Sequence, residues 1–318
     1  MHQNHPAGAA HPVYQPLRAS HSSFVNMRGL RYHVHQWGDA SLTSAQRPPL
    51  VLLHGWMDVG ASYQFLVDSL ARCEGFERWV LAPDWRGFGR TLTPDADTYW
   101  FPDYVADLDA LLDTLLPEVQ LGAIDLLGHS MGGNVVMTYA GVRPLRVRRL
   151  VNLEGFGMPR TQPAQAPQRL AQWLDELKTV SPLRDYASAE EVAARLCSNN
   201  PLLSADKAAW LAPHWAACGA DGRWHVQGHP AHKHVNPVLY QADEVVAAWQ
   251  QIKAPLLWVD GERTDMQKWW GTRYTRAEFD ARLSVVKQVQ RVTLAASGHM
   301  LHHDQPQALA RHLKAFLG

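Results

Sequence analysis

Three cysteines in 318 residues, at Cys73, Cys197 and Cys218, are too few and too far apart for a disulfide framework or a cysteine-based zinc site. Free thiols in a reducing cytosol are the expectation. No apolar run approaches the ~20 residues that cross a bilayer. The opening stretch MHQNHPAGAAHPVYQPLRAS lacks the basic segment and apolar core of a secretory signal. Residues 1–21 are therefore expected to form a mobile tail, and the chain to be cytoplasmic with no membrane partner. An excess of either charge is missing too. Lys and Arg number 30, and so do Asp and Glu, which leaves no electrostatic footprint for nucleic acid or an anionic surface. The glycine-rich run DWRGFGR at 84–90 contains neither a GK[ST] phosphate loop nor a spaced G-x-G-x-x-G. No cofactor is expected.

Hydrophobic residues make up 46% of the chain and charged residues 19%, an ordinary globular balance. Residues 22–37 alternate and turn at Arg28-Gly29, which predicts a β-hairpin. Short apolar runs at 49–54, 79–82, 123–127 and 149–153 read as strands buried on both faces of a parallel sheet. Between them, 60–72, 104–115 and 134–142 carry helical spacing. The alternation stops from 157 to 251, where the pattern is helical and more polar. Ser188 and Ser204 stand there as helix N-caps. Strands resume at 255–260 and 289–295, and an amphipathic helix at 305–317 closes the chain. The expected architecture is α/β: a doubly wound, mostly parallel sheet from 22–156 and 252–318, carrying an inserted helical cap at 157–251. Tryptophans at 173, 210, 215, 224, 269 and 270 fall outside the strands, where they could line a pocket.

The chemistry concentrates in a few places. Gly128-His129-Ser130-Met131-Gly132 is G-x-S-x-G, with the apolar strand AIDLL before it and the helix NVVMTYA after it. That strand–turn–helix context is a nucleophile elbow, with glycines where side chains would clash. A serine hydroxyl needs a base to take its proton. His299, in the loop between the last strand and the last helix, opens at the same sheet edge. His302 and His303 lie further along and are expected at the surface. A carboxylate should orient the imidazole. The loop after 255–260 offers Asp260, Glu262 and Asp265, and the earlier strand ends at Glu154. Asp265 is the expected acid because it has reach at the carboxyl edge, and Glu154 is the rival. His225, His229, His232 and His234 crowd one loop, but with no cysteine partner at suitable spacing no metal is expected.

HGW at 54–56, DWRGFGR at 84–90, GHSMGG at 128–133, GERTD at 261–265 and SGHM at 297–300 together resemble the α/β-hydrolase superfamily over nearly the whole chain after residue 22. LHGWMDVGASY at 53–63 and LEGFG at 153–157 are also similar to the serine hydrolase-like proteins. The resemblance implies the α/β-hydrolase fold with a cap, and backbone N–H groups of Trp56 and Met131 as an oxyanion hole. It departs at Thr264, where many members carry the acid. Ser130 argues against the relatives with an Asp nucleophile. The expected function is hydrolysis of a small carboxylic ester or similar acyl compound. The alternatives are C–C bond hydrolysis, acyl transfer, or a slow small-ligand sensor.

Overall fold

The computed structural model describes residues 13–93, 96–116, 124–179 and 181–318. The chain opens with a hairpin, β1 (His21–Met27) and β2 (Leu30–Trp37). Its turn residues Arg28 and Gly29 both have positive φ, at 48° and 75°, the turn whose twist matches that of the strands. There follow β3 (Leu50–Leu53), α1 (Gln64–Ala71), β4 (Val80–Pro83), α2 (Phe101–Leu115), β5 (Ile124–His129), α3 (Met131–Val142) and β6 (Val147–Leu153). Ala123, expected to open β5, lies outside the described residues.

After β6 the chain builds α4 (Ala166–Glu176), β7 (Asp185–Tyr186), α5 (Ala189–Asn199), α6 (Ala205–Trp215), β8 (Ala216–Cys218), β9 (Trp224–Val226) and α7 (Ala242–Gln250). Four helices match the helical reading of 157–251, of which residue 180 lies outside the described residues. The three short strands, which pair in the order β7-β9-β8, were not foreseen, because two or three residues carry no periodicity. The core resumes with β10 (Leu256–Gly261), α8 (Gln267–Trp270), α9 (Arg276–Leu283), β11 (Val289–Leu294), α10 (Leu301–Asp304) and α11 (Pro306–Leu317).

The main sheet has eight strands in the order β1-β2-β4-β3-β5-β6-β10-β11. From β4 to β11 every neighbouring pair is parallel. Apolar side chains leave both faces. Val51, Leu53, Leu126 and Leu150 pack under α2 and α3, while Leu50, Leu52, Leu127 and Val151 meet Leu66 and Leu70 of α1 and Leu309 and Leu313 of α11. From β3 the chain goes to β4 on one side and later to β5 on the other. The carboxyl ends of β3 and β5 therefore flank a switch point, the crevice where parallel sheets present ligand sites. No helix among the described residues is long and apolar enough to cross a membrane.

The expected mobile tail is corrected where it is visible. Residues 1–12 lie outside the described residues, but 13–20 are tied down. Tyr14 Oη donates to Asp68 Oδ2 at 2.7 Å, and the amides of Leu17 and Arg18 donate to the same carboxylate at 3.0 and 2.9 Å. Asp68 is buried in α1, and a buried carboxylate requires such donors.

Candidate active site

Ser130 joins β5 to α3 with φ 52° and ψ −114°, a conformation most side chains avoid. The turn is held by Ser130 N–H on Leu153 O at 2.8 Å and Asn134 N–H on Ser130 O at 3.0 Å. Its glycines are required by close approach. A Cβ on Gly128 would lie 2.2 Å from Gly132 O, and one on Gly132 would lie 2.1 Å from Leu53 O. The loop after β3 presses on the same turn, since a Cβ on Gly55 would meet Ser130 Cβ at 3.2 Å. Met131 supplies the first amide of α3, which has no acceptor within the helix. Trp56 follows Gly55 with its indole half-exposed, and the indole N–H of Trp215 in α6 pins the next residue by donating to Met57 O at 2.8 Å. Ser130 thus shares one sheet edge with the backbone around Trp56 and Met131.

His299 follows β11, and its Nδ1 lies 2.6 Å from Glu154 Oε2. This overturns the expected choice of Asp265. Glu154 follows β6 with φ 55°, its side chain fully buried, and its Oε1 accepts the Gly261 amide at 2.7 Å. The approach across β10 is open because Gly261 has no side chain. A Cβ there would meet Gly298 O at 2.5 Å and Ser297 O at 2.6 Å. The other three carboxylates are engaged elsewhere. Asp265, exposed, accepts the Gln267 amide at 2.9 Å. Asp260 pairs with Arg276 at 2.6 Å, and Glu262 accepts the Ala296 amide at 2.9 Å. Burial pushes the His299 imidazole down to about 4, and although it also raises the Glu154 carboxyl, the Gly261 amide donating to Oε1 favours the carboxylate. The histidine shift favours a neutral ring, whose lone pair can accept a proton.

Neighbouring groups fix the histidine loop. His129 Nε2–H donates to His299 O at 2.8 Å, tying the elbow to it. Asp304 Oδ2 accepts the Gly298 amide at 2.8 Å, and its Oδ1 accepts Asn200 Nδ2 of the inserted segment, also at 2.8 Å. The ring of Trp269 in α8 stands edge-on to His299 at 4.7 Å. Of the six tryptophans expected outside the strands, Trp269 stands against the histidine, while Trp224 lies in β9. His302 and His303, expected at the surface, are buried. They pack on Tyr63 and Phe65, with ring centroids 4.8 and 5.6 Å apart. In sequence, only the apolar Leu301 beside them hinted at an inward face.

The histidines of the 225–234 loop do not converge. His225 pairs with Asp221 at 2.9 Å in solvent, while His232 is stacked between Phe88 and Tyr99 with centroids 3.7 and 3.6 Å away. Among the described residues, the groups whose potential ligand atoms lie within 4.8 Å of one another are His33–His35–Asp84 and Asp58–His302–His303. A polar cavity of about 780 Å³ beside α4, bounded by Lys233 and His234, does not include Ser130, Glu154 or His299 in its lining.

The profile of the alpha/beta hydrolase family matches residues 50–312. The 2-hydroxy-6-oxo-2,4-heptadienoate hydrolase of Pseudomonas putida is 36% identical over 113 residues, covering 35% of this chain and 38% of that one. A serine hydrolase-like protein of Danio rerio is 34% identical over 115 residues, 36% of this chain and 33% of the other. The aligned segment thus spans about a third of either relative's length. The 3-hydroxybutyrate-oligomer hydrolase of Cupriavidus necator aligns along almost its whole length, 28% identical over 302 residues, covering 91% of this chain and 93% of that protein. Among solved structures, a thioesterase domain from the curacin biosynthetic pathway superposes with TM-score 0.78 at 22% identity, covering 93% of this chain and 99% of the domain.

Proposed function

The chain belongs to the alpha/beta hydrolase family, and from that premise we propose that it is a serine hydrolase cleaving a carboxylic ester through an acyl-enzyme. The observation that carries the proposal is the 2.6 Å contact of His299 with buried Glu154, at the edge where Ser130 is held in a strained turn. With Nδ1–H directed at Glu154, the Nε2 lone pair of His299 takes the Ser130 proton as Oγ attacks the ester carbonyl. The Trp56 and Met131 amides receive the developing oxyanion. The imidazolium then protonates the departing alcohol, and a water activated by the same nitrogen releases the acid and restores Ser130. Glu154 stabilises the imidazolium by its charge and fixes its tautomer.

Residues 157–251 act as the cap in this reading and set substrate choice, with no cofactor. The free thiols Cys73, Cys197 and Cys218 support a cytoplasmic location, which fractionation of tagged protein tests. The near full-length likeness to a 3-hydroxybutyrate-oligomer hydrolase makes short esters of hydroxy acids the first substrates to assay, beside p-nitrophenyl esters of graded length. A fluorophosphonate probe should label wild type, while Ser130→Ala should lose both labelling and turnover and remain folded. Turnover at the wild-type level in folded Ser130→Ala would refute the assignment of the nucleophile. The 36% likeness to a 2-hydroxy-6-oxo-2,4-heptadienoate hydrolase across the segment that matches it favours one competitor. Faster turnover of such a dienoate than of any ester would move the reaction to C–C cleavage with the same residues.

A further inference from the structure

Behind the proposed catalytic edge the protein buries a second group of imidazoles. From His299 the rings of His129, His302 and His303 follow one another inward, with successive centroids 4.7, 4.7 and 4.3 Å apart. The three inner residues are no more than 3% exposed. Yet His129 Nδ1, His302 Nδ1 and His303 Nε2 have no hydrogen-bond partner among the described residues. Polar atoms buried without partners are costly, and in a native protein they call for an ordered water or an ion. A buried carboxylate faces the other ring nitrogen of His302, Nε2. Asp58 Oδ2 lies 3.6 Å from His302 Nε2 and accepts Ser62 Oγ–H at 2.8 Å, and Ser62 Oγ is 3.3 Å from His302 Nε2. One donor atom each from Asp58, His302 and His303 fall within 4.8 Å of one another.

We propose that Asp58, His302 and His303, completed by the Ser62 hydroxyl, bind one divalent transition-metal ion of the zinc type. Two imidazole nitrogens and a carboxylate are ligands such an ion takes in tetrahedral sites. Bonds of ~2.0–2.1 Å place tetrahedral ligands ~3.4 Å apart. The 3.6 Å between His302 Nε2 and Asp58 Oδ2 is close to this, and closing the 4.8 Å limit of the cluster requires a side-chain shift of roughly 1 Å. The other cluster is spent by contrast. His33 already engages Asp84 at 2.7 Å and Ser22 at 3.0 Å, while Asp84 also accepts the amides of Gly60 and Arg90. The proposal does not depend on which bond the enzyme cleaves.

The test uses the full chain stripped of metal by a chelator. Cobalt(II) titration should give one saturable equivalent with the visible spectrum of nitrogen–oxygen ligation, and zinc should displace it. Zinc should also raise the melting temperature, since an ion bound only by the native state stabilises it. Asp58→Asn and His303→Phe, the latter keeping a ring against Phe65, should each weaken binding about tenfold or more. His225→Ala, in the exposed loop, should leave it unchanged. X-ray absorption of the zinc-loaded wild type should show two imidazoles, a readout that survives even if both variants misfold. Absence of a saturable equivalent, a first shell without two imidazoles, or equal affinity in folded Asp58→Asn and His303→Phe would overturn the proposal. In that case ordered water is what the orphaned nitrogens hold.

Discussion

Replacing Glu154 by glutamine changes one oxygen to an amide nitrogen and leaves the volume of the side chain nearly unchanged. The carboxylate receives two donors, Gly261 N–H on Oε1 at 2.7 Å and His299 Nδ1 on Oε2 at 2.6 Å. An amide can accept only one of them. The backbone N–H of Gly261 has no other role to take, so the amide oxygen should turn to it and the NH2 to His299. An NH2 donor then requires a lone pair on Nδ1, which places the ring proton on Nε2. The nitrogen meant to take the Ser130 proton becomes occupied, and the imidazolium loses its counter-charge. A wrong tautomer of this kind costs on the order of 10⁴ in kcat, about 5 kcal/mol of barrier. Asp265→Asn is the matched control. Its side chain accepts one exposed amide, from Gln267 at 2.9 Å, and an amide oxygen can do the same, so kcat should stay within about twofold. Both variants are assayed with a p-nitrophenyl ester under saturating conditions after circular dichroism confirms folding. If Glu154→Gln retains more than about a tenth of wild-type kcat, or Asp265→Asn loses more, the pairing seen here is not the one used in turnover.

Three further outcomes are expected. Burial holds His35 at about 4 and His129 and His232 at about 3. Each stays neutral in the fold but protonates in the unfolded chain below about 6.5, so their stability is intact above that pH and is lost as pH falls. Between pH 7 and 5 this amounts to about 2 kcal/mol per histidine and about 6 kcal/mol for the three. Denaturant melts that are flat over that range would refute the burial argument. Gly132→Ala drives a Cβ to within 2.1 Å of Leu53 O, so it should cost at least about 2 kcal/mol and abolish probe labelling, measured by urea titration and gel fluorescence. Exchanging residues 157–251 for the equivalent segment of a relative should move the preferred ester length without altering labelling of Ser130. An unchanged length profile in a folded chimera would remove this segment from substrate selection.

Where a residue's role follows from local spacing, the sequence was sufficient. The four-residue run of β3, the helix stripe of α2 and the glycines flanking Ser130 announce their environments, because burial on both faces and backbone contact each demand a residue type. His299 was legible for a related reason, its place after the last strand. The acid was not. Asp265 and Glu154 both follow strands at the proper edge, and spacing alone does not tell which one the neighbouring strand lets through to His299. Glu154 reaches His299 because Gly261 lies between them without a side chain, a fact of sheet order rather than of sequence. His302 and His303 were misplaced for the opposite reason. Polar type argued for solvent, yet α10 buries them, with the rings of Tyr63 and Phe65 packed against them.

Putting the charge that steers His299 on β6 has an effect on the loop that follows β10. Residues 262–275 keep the company of the reacting groups, through Trp269 against His299, yet none of them supplies the acid. A stretch so placed is released from the constraint that freezes a catalytic loop. Its exposed side chains can change, and each such change alters what rests on the imidazole. For laboratory evolution its exposed positions are the ones to randomise first, since new selectivity can be gained there while the proposed trio of Ser130, Glu154 and His299 is kept.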